Sequence, residues 1–343
     1  MLKFRFVATL GLGSSLFVNF DITNRVLEPE TLITDIPAIP GPEDRAYIVI
    51  KTIIASIELK YINFSMIIWI ASYPKSGNTY IRSFLSAYYF SEKGDFDFEL
   101  LKNIKQFPNS EFFDGEINSI DDASSNWLYA QKKIKDLNKV TFLKTHSCLG
   151  AYKGKPFTTM DYTLGAIYIV RDPRNVISSV MNHFSLNVDE AYKFITDMNR
   201  GTRSNIEADY STYSYLNSWS NHYKSWAHSK NFRKIIIKYE DLEINKYETF
   251  RDIIVFTNTL LNKSERVDKK KLERSIDSTN FSVLKNLEKN KGFEEALYSE
   301  KDGKKKTFFN LGFNNRWKKT LRDDVKQNIE DIFLEEMKEN KYI

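Results

Sequence analysis

The chain contains a single cysteine, Cys148, among 343 residues. No internal disulfide is possible, and the expectation is a reducing, cytoplasmic setting. No apolar run approaches the ~20 residues that span a bilayer, so stable membrane insertion is not expected. Histidine is also scarce, with four in all. There is no HExxH, no paired CxxC and no cluster of carboxylates at ligand spacing, so no metal is expected. Charge of one sign is lacking too: 50 Lys and Arg stand against 45 Asp and Glu, a net charge of +5. No Lys/Arg stripe is interleaved with a nucleic-acid motif, which argues against nucleic acid as a partner and for a basic pocket instead. The runs Lys269–Lys271 and Lys304–Lys306 read as solvated faces.

What is present is an ordinary globular composition, with 42% hydrophobic and 28% charged residues. Lys3 and Arg5 precede the apolar stretch Phe6–Phe20 in the outline of a secretory signal, but no clean small-x-small cleavage site follows. Four of the eight prolines fall between Pro29 and Pro42, a linker composition. Residues 1–65 are therefore read as a poorly ordered, linker-like appendage. Met66 stands directly before the first core strand, so 66–343 is the expected functional domain. Whether 1–65 is a signal, an appendage or an over-extended reading frame stays open.

From Met66 onward, short Ile/Val-rich runs alternate with helical patterns. Strands are expected at Met66–Ala71, Val140–Lys144, Ala166–Val170 and Lys234–Tyr239. Helices are expected at Thr79–Phe90, Pro173–Phe184, Tyr213–His228 and Glu248–Leu261. Apolar strands without alternation, each trailed by a helix, predict an α/β fold: a central parallel sheet with helices on both faces. Such sheets bind ligands at the carboxyl ends of their strands, and every motif below sits at one.

The first motif is Ser72-Tyr73-Pro74-Lys75-Ser76-Gly77-Asn78-Thr79-Tyr80, between a strand and a helix. Free amides and the dipole at a helix start favour phosphate. Gly77 permits close backbone approach, Lys75 supplies a point charge, and Ser76 and Thr79 offer hydroxyl donors. The nucleotide-triphosphate loop G-x-x-x-x-G-K-[ST] places its lysine after the second glycine; here Lys75 precedes the lone glycine and Ala71 stands where the first would be. The second motif is Val170-Arg171-Asp172-Pro173-Arg174-Asn175-Val176-Ile177-Ser178-Ser179. Asp172 is placed as an N-cap with Pro173 in the first turn, and Arg171 and Ser179 could converge on one anion. The third is Lys144-Thr145-His146, again at a strand end.

The order Tyr-Pro-Lys-Ser-Gly-Asn-Thr closely resembles the 5′-phosphosulfate loop of sulfotransferases, which use 3′-phosphoadenosine 5′-phosphosulfate (PAPS) as donor. Asn78 and Tyr80 stand where the family usually has Thr and Trp, and both swaps keep the chemistry. The resemblance implies a P-loop NTPase-like sulfotransferase fold and release of 3′,5′-adenosine bisphosphate. It assigns Lys75 to the leaving phosphate oxygen, Arg171 and Ser179 to the 3′-phosphate, and His146 as general base, with Lys144 steadying the sulfuryl oxygens. Tyr80, Tyr239 (in Lys-Tyr-Glu-Asp) and Phe281 (in Thr-Asn-Phe) become candidates for the adenine. The stretch Phe308–Lys318 resembles the family's R-K-G-x-x-G-x-W-K loop over the 3′-phosphate. It keeps Gly312, Trp317 and Lys318 but has Asn310-Leu311 for Arg-Lys and Asn315 for the second glycine. Compensation by Arg316 or Lys304–Lys306 is the expectation.

The implied activity is sulfuryl transfer to a hydroxyl or amine of a small-molecule, glycan or lipid acceptor. The alternatives are a P-loop-type nucleotide kinase, which needs the lysine after the glycine, and a non-catalytic nucleotide-binding module. The acceptor's walls are expected in 91–139 and 185–212, where Phe112, Phe113 and Trp127 suggest a partly apolar site. Oligomeric state is not readable.

Overall fold

The computed structural model describes residues 3–10, 14–21, 66–135, 139–203, 209–263, 266–296, 305–314 and 317–343. It divides into two compact units, Met1–Ile62 and Asn63–Ile343. In the first, Lys3–Leu10 and Ser14–Asp21 pair as antiparallel strands, within the stretch expected to be a linker-like appendage. The Pro29–Pro42 stretch lies outside the described residues.

The second unit is built on five parallel strands: β1 (Ile67–Ser72), β2 (Lys105–Gln106), β3 (Thr141–Thr145), β4 (Thr163–Val170) and β5 (Arg233–Lys238). Their order across the sheet is β2-β3-β1-β4-β5. The four expected strands are present within three residues of their predicted bounds. The two-residue β2 carries no pattern long enough to read. β1 is buried along its whole length because helices cover both faces. Ile68 and Ile70 face one core with Ile81, Phe84 and Phe250. Ile67, Trp69 and Ala71 face the other with Trp127, Phe157 and Val176, the period-two alternation of a strand. The indole of Trp69 donates to Thr163 Oγ1 at 3.0 Å, so its one polar atom is satisfied.

Helix α1 (Asn78–Phe90) follows β1, and α2 (Ile120–Lys135) lies between β2 and β3. After β4 comes α3 (Pro173–Phe184), started by Asp172, whose side chain accepts from the Arg174 amide at 2.9 Å. Further on are α4 (Trp219–Ala227), α5 (Lys246–Leu260), α6 (Lys269–Ser278) and α7 (Phe281–Lys291). The helix expected from Tyr213 starts only at Trp219. Ser214–Tyr215 pairs instead with Gly201–Thr202, and Ser218 caps α4 by accepting from the Asn221 amide.

The register places the motifs together. Ala71 pairs with Thr145, Ser72 with Ile169, and Val170 with Lys238. The residues just past each strand, Tyr73, His146, Arg171 and Tyr239, therefore emerge along one edge. Because β1 sits between β3 and β4, the chain leaves β3 and β4 on opposite sides of it, the switch point where open α/β sheets bind ligands.

Candidate active site

The loop after β1 is held by both backbone and side chain. Lys75 and Gly77 both have positive φ, 66° and 97°. Asn78 Nδ2 donates to the Ile70 carbonyl at 2.9 Å and to Ser72 Oγ at 3.2 Å, tying the first residue of α1 back to the strand. No side chain caps the start of α1, which leaves its first amides to a ligand. A Cβ on Gly77 would lie 2.4 Å from the Tyr239 ring. Gly77→Ala is expected to destabilise the protein by about 1–3 kcal/mol through backbone strain and this clash. Thermal unfolding measures it, and an unchanged melting temperature would contradict it.

The strand ends open on a cavity of about 1230 Å³ lined by Lys75, Gly77, Asn78, Thr79, Tyr80, Lys144, His146, Arg171, Ser179, Tyr239, Phe281 and Gly312. Of the residues expected at the site, only Ser76 is missing from the lining; it is buried under the loop and its Oγ has no partner. The Lys75 and His146 side chains thus share one cavity, although they come from different strands.

Lys75 Nζ lies 4.2 Å from the centre of the Phe308 ring and 3.4 Å from His183 Nδ1. Burial, then the charges of Arg171 and Lys144, bring its pKa down to about 7. Arg171 has no carboxylate ion pair among the described residues. Its Nη1 donates to the Lys75 carbonyl at 2.9 Å and Ser179 Oγ at 3.2 Å, and its Nη2 to the Gly312 carbonyl at 3.3 Å. Its guanidinium lies 4.2 Å from the centre of the Tyr239 ring, and its Nε is buried without a partner. Asp172 is taken by Arg174, which also bonds Glu330 and packs 4.1 Å from the centre of the Trp317 ring. Arg171 thus faces the cavity with no carboxylate ion pair among the described residues, while Arg174 is held by Asp172 and Glu330.

The aromatic candidates divide. Tyr239 stacks on Phe313, centroids 4.7 Å apart and 22° between planes. Tyr80 meets Phe250 and Phe313 edge-on and is 6% exposed, with its hydroxyl buried and unpartnered. Phe281, on α7, closes against Gly312, whose added Cβ would sit 2.7 Å from the ring. Phe308 and Phe309 are fixed by Glu288, whose carboxylate accepts from both their amides at 2.6 and 2.9 Å.

His146 Nδ1 lies 2.8 Å from the Ser72 carbonyl oxygen. A carbonyl can only accept, so Nδ1 carries the proton and Nε2 is left as the basic atom. Burial, then the charge of Lys144, lowers its pKa to about 3, so the ring is neutral at pH 7. Behind it, fully buried His222 donates from Nε2 to the His146 carbonyl at 3.0 Å and accepts from the Tyr168 hydroxyl at 3.0 Å. The first of those bonds fixes the backbone under His146. His183 is a second imidazole in the cavity.

One expectation needs correction. Phe113 and Trp127 are 8% and 1% exposed in the core with Trp69 and Phe157, and Phe112 packs against them, so none of these rings lines the cavity. From the two stretches expected to wall the acceptor, the lining residues are Gln106, Ser185, Thr202, Arg203 and Thr212, all polar. Lys306 is engaged with the His183 carbonyl at 3.2 Å and with Ser185 Oγ. Lys304, Asn315 and Arg316 lie outside the described residues. Glu295 and Arg82 were missed, because neither stands in a motif.

The chain matches the family model for the sulfotransferase domain over residues 66–341, and it belongs to that family. Among solved structures it is similar to a retinol dehydratase in a complex with retinol and PAP. That similarity has 18% sequence identity and a TM-score of 0.48, covering 79% of this chain and 81% of the other. No curated protein matches. No helix among the described residues is long and apolar enough to cross a membrane.

Proposed function

We propose that this sulfotransferase moves a sulfuryl group from PAPS to a hydroxyl or amine of a small-molecule, glycan or lipid acceptor, with His146 as general base. The observation that carries the reading is the His146 tautomer, Nδ1–H held on the Ser72 carbonyl and Nε2 basic, in the cavity that also holds Lys75 and Arg171. The residues fit the donor. The start of α1, Lys75 and Thr79 suit the 5′ side, and Arg171 with Ser179 suits the 3′-phosphate. The buried, unpartnered atoms Arg171 Nε, Asn78 Oδ1 and Tyr80 OH lie around the same space.

In the reaction, the acceptor oxygen or nitrogen attacks sulfur in line with the bond to the 5′-phosphate. That S–O bond breaks with its electron pair passing to the phosphate oxygen, where Lys75 stabilises the growing charge. The acceptor's proton passes to His146 Nε2. Burial is the larger cause that holds the imidazole a weak base in the free protein; the negative donor beside Lys144 offsets the second, that ammonium's charge.

Binding separates this reading from a kinase. 3′,5′-Adenosine bisphosphate without metal is expected to raise the melting temperature, and ATP with Mg²⁺ is not. Arg171→Ala is expected to weaken that ligand about 10–100-fold, the loss of charge-assisted bonds worth roughly 1.5–3 kcal/mol. Stabilisation by ATP with Mg²⁺ alone would overturn the proposal. The single thiol is buried, which suits a reducing, cytoplasmic compartment.

A further inference from the structure

Two glutamates line the cavity, Glu294 and Glu295, and the second sits among the cations. Glu295 follows α7, and its Oε1 accepts from Arg82 Nη1 at 2.5 Å. Its Oε2 accepts from Lys144 Nζ at 3.1 Å and from Thr79 Oγ1 at 3.4 Å. Arg82 and Lys144 are 6% and 5% exposed, whereas the Glu295 side chain is 28% exposed and lines the cavity. Arg82 is four residues past Asn78, one turn into α1 and beneath the phosphate loop. One oxygen of Glu295 is thus fixed by an arginine behind the site, and the other gathers two donors at its front.

The geometry points to Glu295 as a positioning residue of the transfer site, a fixed template that aims the Lys144 ammonium at the transferring sulfuryl group. This rests on the sulfuryl-transfer reading above. The triad of Arg82, Glu295 and Lys144 keeps a net charge of one proton's worth, so it still attracts the anionic donor. Glu295 also governs the protonation of Lys144. The groups facing that ammonium are Arg82 on α1, Lys75 in the loop, His146 beyond β3, His183 on α3 and Glu295 itself. Burial lowers the Lys144 pKa, Arg82 adds to that, and Glu295 opposes both.

Glu295→Gln tests the assignment by steady-state kinetics with PAPS between pH 6 and 10. Expected is a kcat about 10–100-fold lower, the loss of bonds to a charged group, with little change in KM for PAPS. The alkaline limb of kcat is expected to move to lower pH, because Lys144 loses its proton sooner without the carboxylate. Glu295→Asp is expected to keep more activity than the amide, and it carries the test if Glu295→Gln does not fold. Stabilisation of each variant by 3′,5′-adenosine bisphosphate reports that the donor site is intact. Unchanged kcat and pH profile, or tighter PAPS binding at full activity, would show a carboxylate that merely vacates the site, and overturn the assignment. An unmodified protein that transfers nothing from PAPS overturns the sulfuryl-transfer reading and this inference with it.

Discussion

Replacing Lys75 with methionine is expected to lower kcat about 10²–10³-fold, the loss typical when one donor to a developing oxyanion is removed. Methionine keeps much of the stem's volume, so the packing against Phe308 survives and the charge alone is lost. In the free protein Lys75 has a pKa of about 7, set by burial and then by Arg171 and Lys144. A bound phosphate favours the charged form, so the pKa rises in the complex. The sign follows. Above pH 7 the free enzyme has lost the proton it needs, and binding must take one up. The affinity for 3′,5′-adenosine bisphosphate should therefore fall as pH rises through 7, by at most about tenfold per pH unit. Calorimetric titration near pH 8 in buffers of different ionisation enthalpy should record proton uptake in the parent protein and less in Lys75→Met. Equal uptake in both would place the titrating group elsewhere.

The second large effect is at His146. His146→Ala is expected to reduce kcat by about 10²–10⁴-fold, the contribution of a positioned general base. Stabilisation by 3′,5′-adenosine bisphosphate should survive, since Arg171, Ser179 and the phosphate loop are untouched. That combination separates a base from a structural histidine, whose removal would lower stability with and without ligand alike. The environment sharpens the comparison, because His222 and the Ser72 carbonyl hold the ring's backbone and its Nδ1 independently of any ligand. Transfer that persists in His146→Ala would move the role of base to another group, with His183 the other imidazole of the cavity.

Much of this site was legible because its residues sit next to strong local signals. Lys75, Arg171, Lys144 and His146 each fall within five residues of an apolar strand end, and a parallel sheet sends such ends to one edge. The cap at Asp172 and the proline after it fixed the start of α3 to the residue. What failed to read was non-local. Phe112, Phe113 and Trp127 look from composition like a pocket wall, but Trp127 on α2 packs onto Phe157, and Phe112 and Phe113, before that helix, turn onto Phe107, so all three join the core. Glu295 sits 151 residues from Lys144, in a Phe-Glu-Glu-Ala stretch with no motif. Only the return of the chain after α7 brings it to the ammonium.

By itself the sequence determined the α/β class, the central strands, the family and the strand–loop–helix turn around Lys75, because strand hydrophobicity, helix caps and a Pro-Lys-Ser-Gly turn are short-range properties. Tertiary structure alone decided the protonation states and partners in the cavity. The His146 tautomer depends on a carbonyl of a neighbouring strand. The lowered lysine pKa depends first on burial and then on charges from other strand ends. Those are effects of distance and desolvation, and neither is set until separate strands are packed side by side.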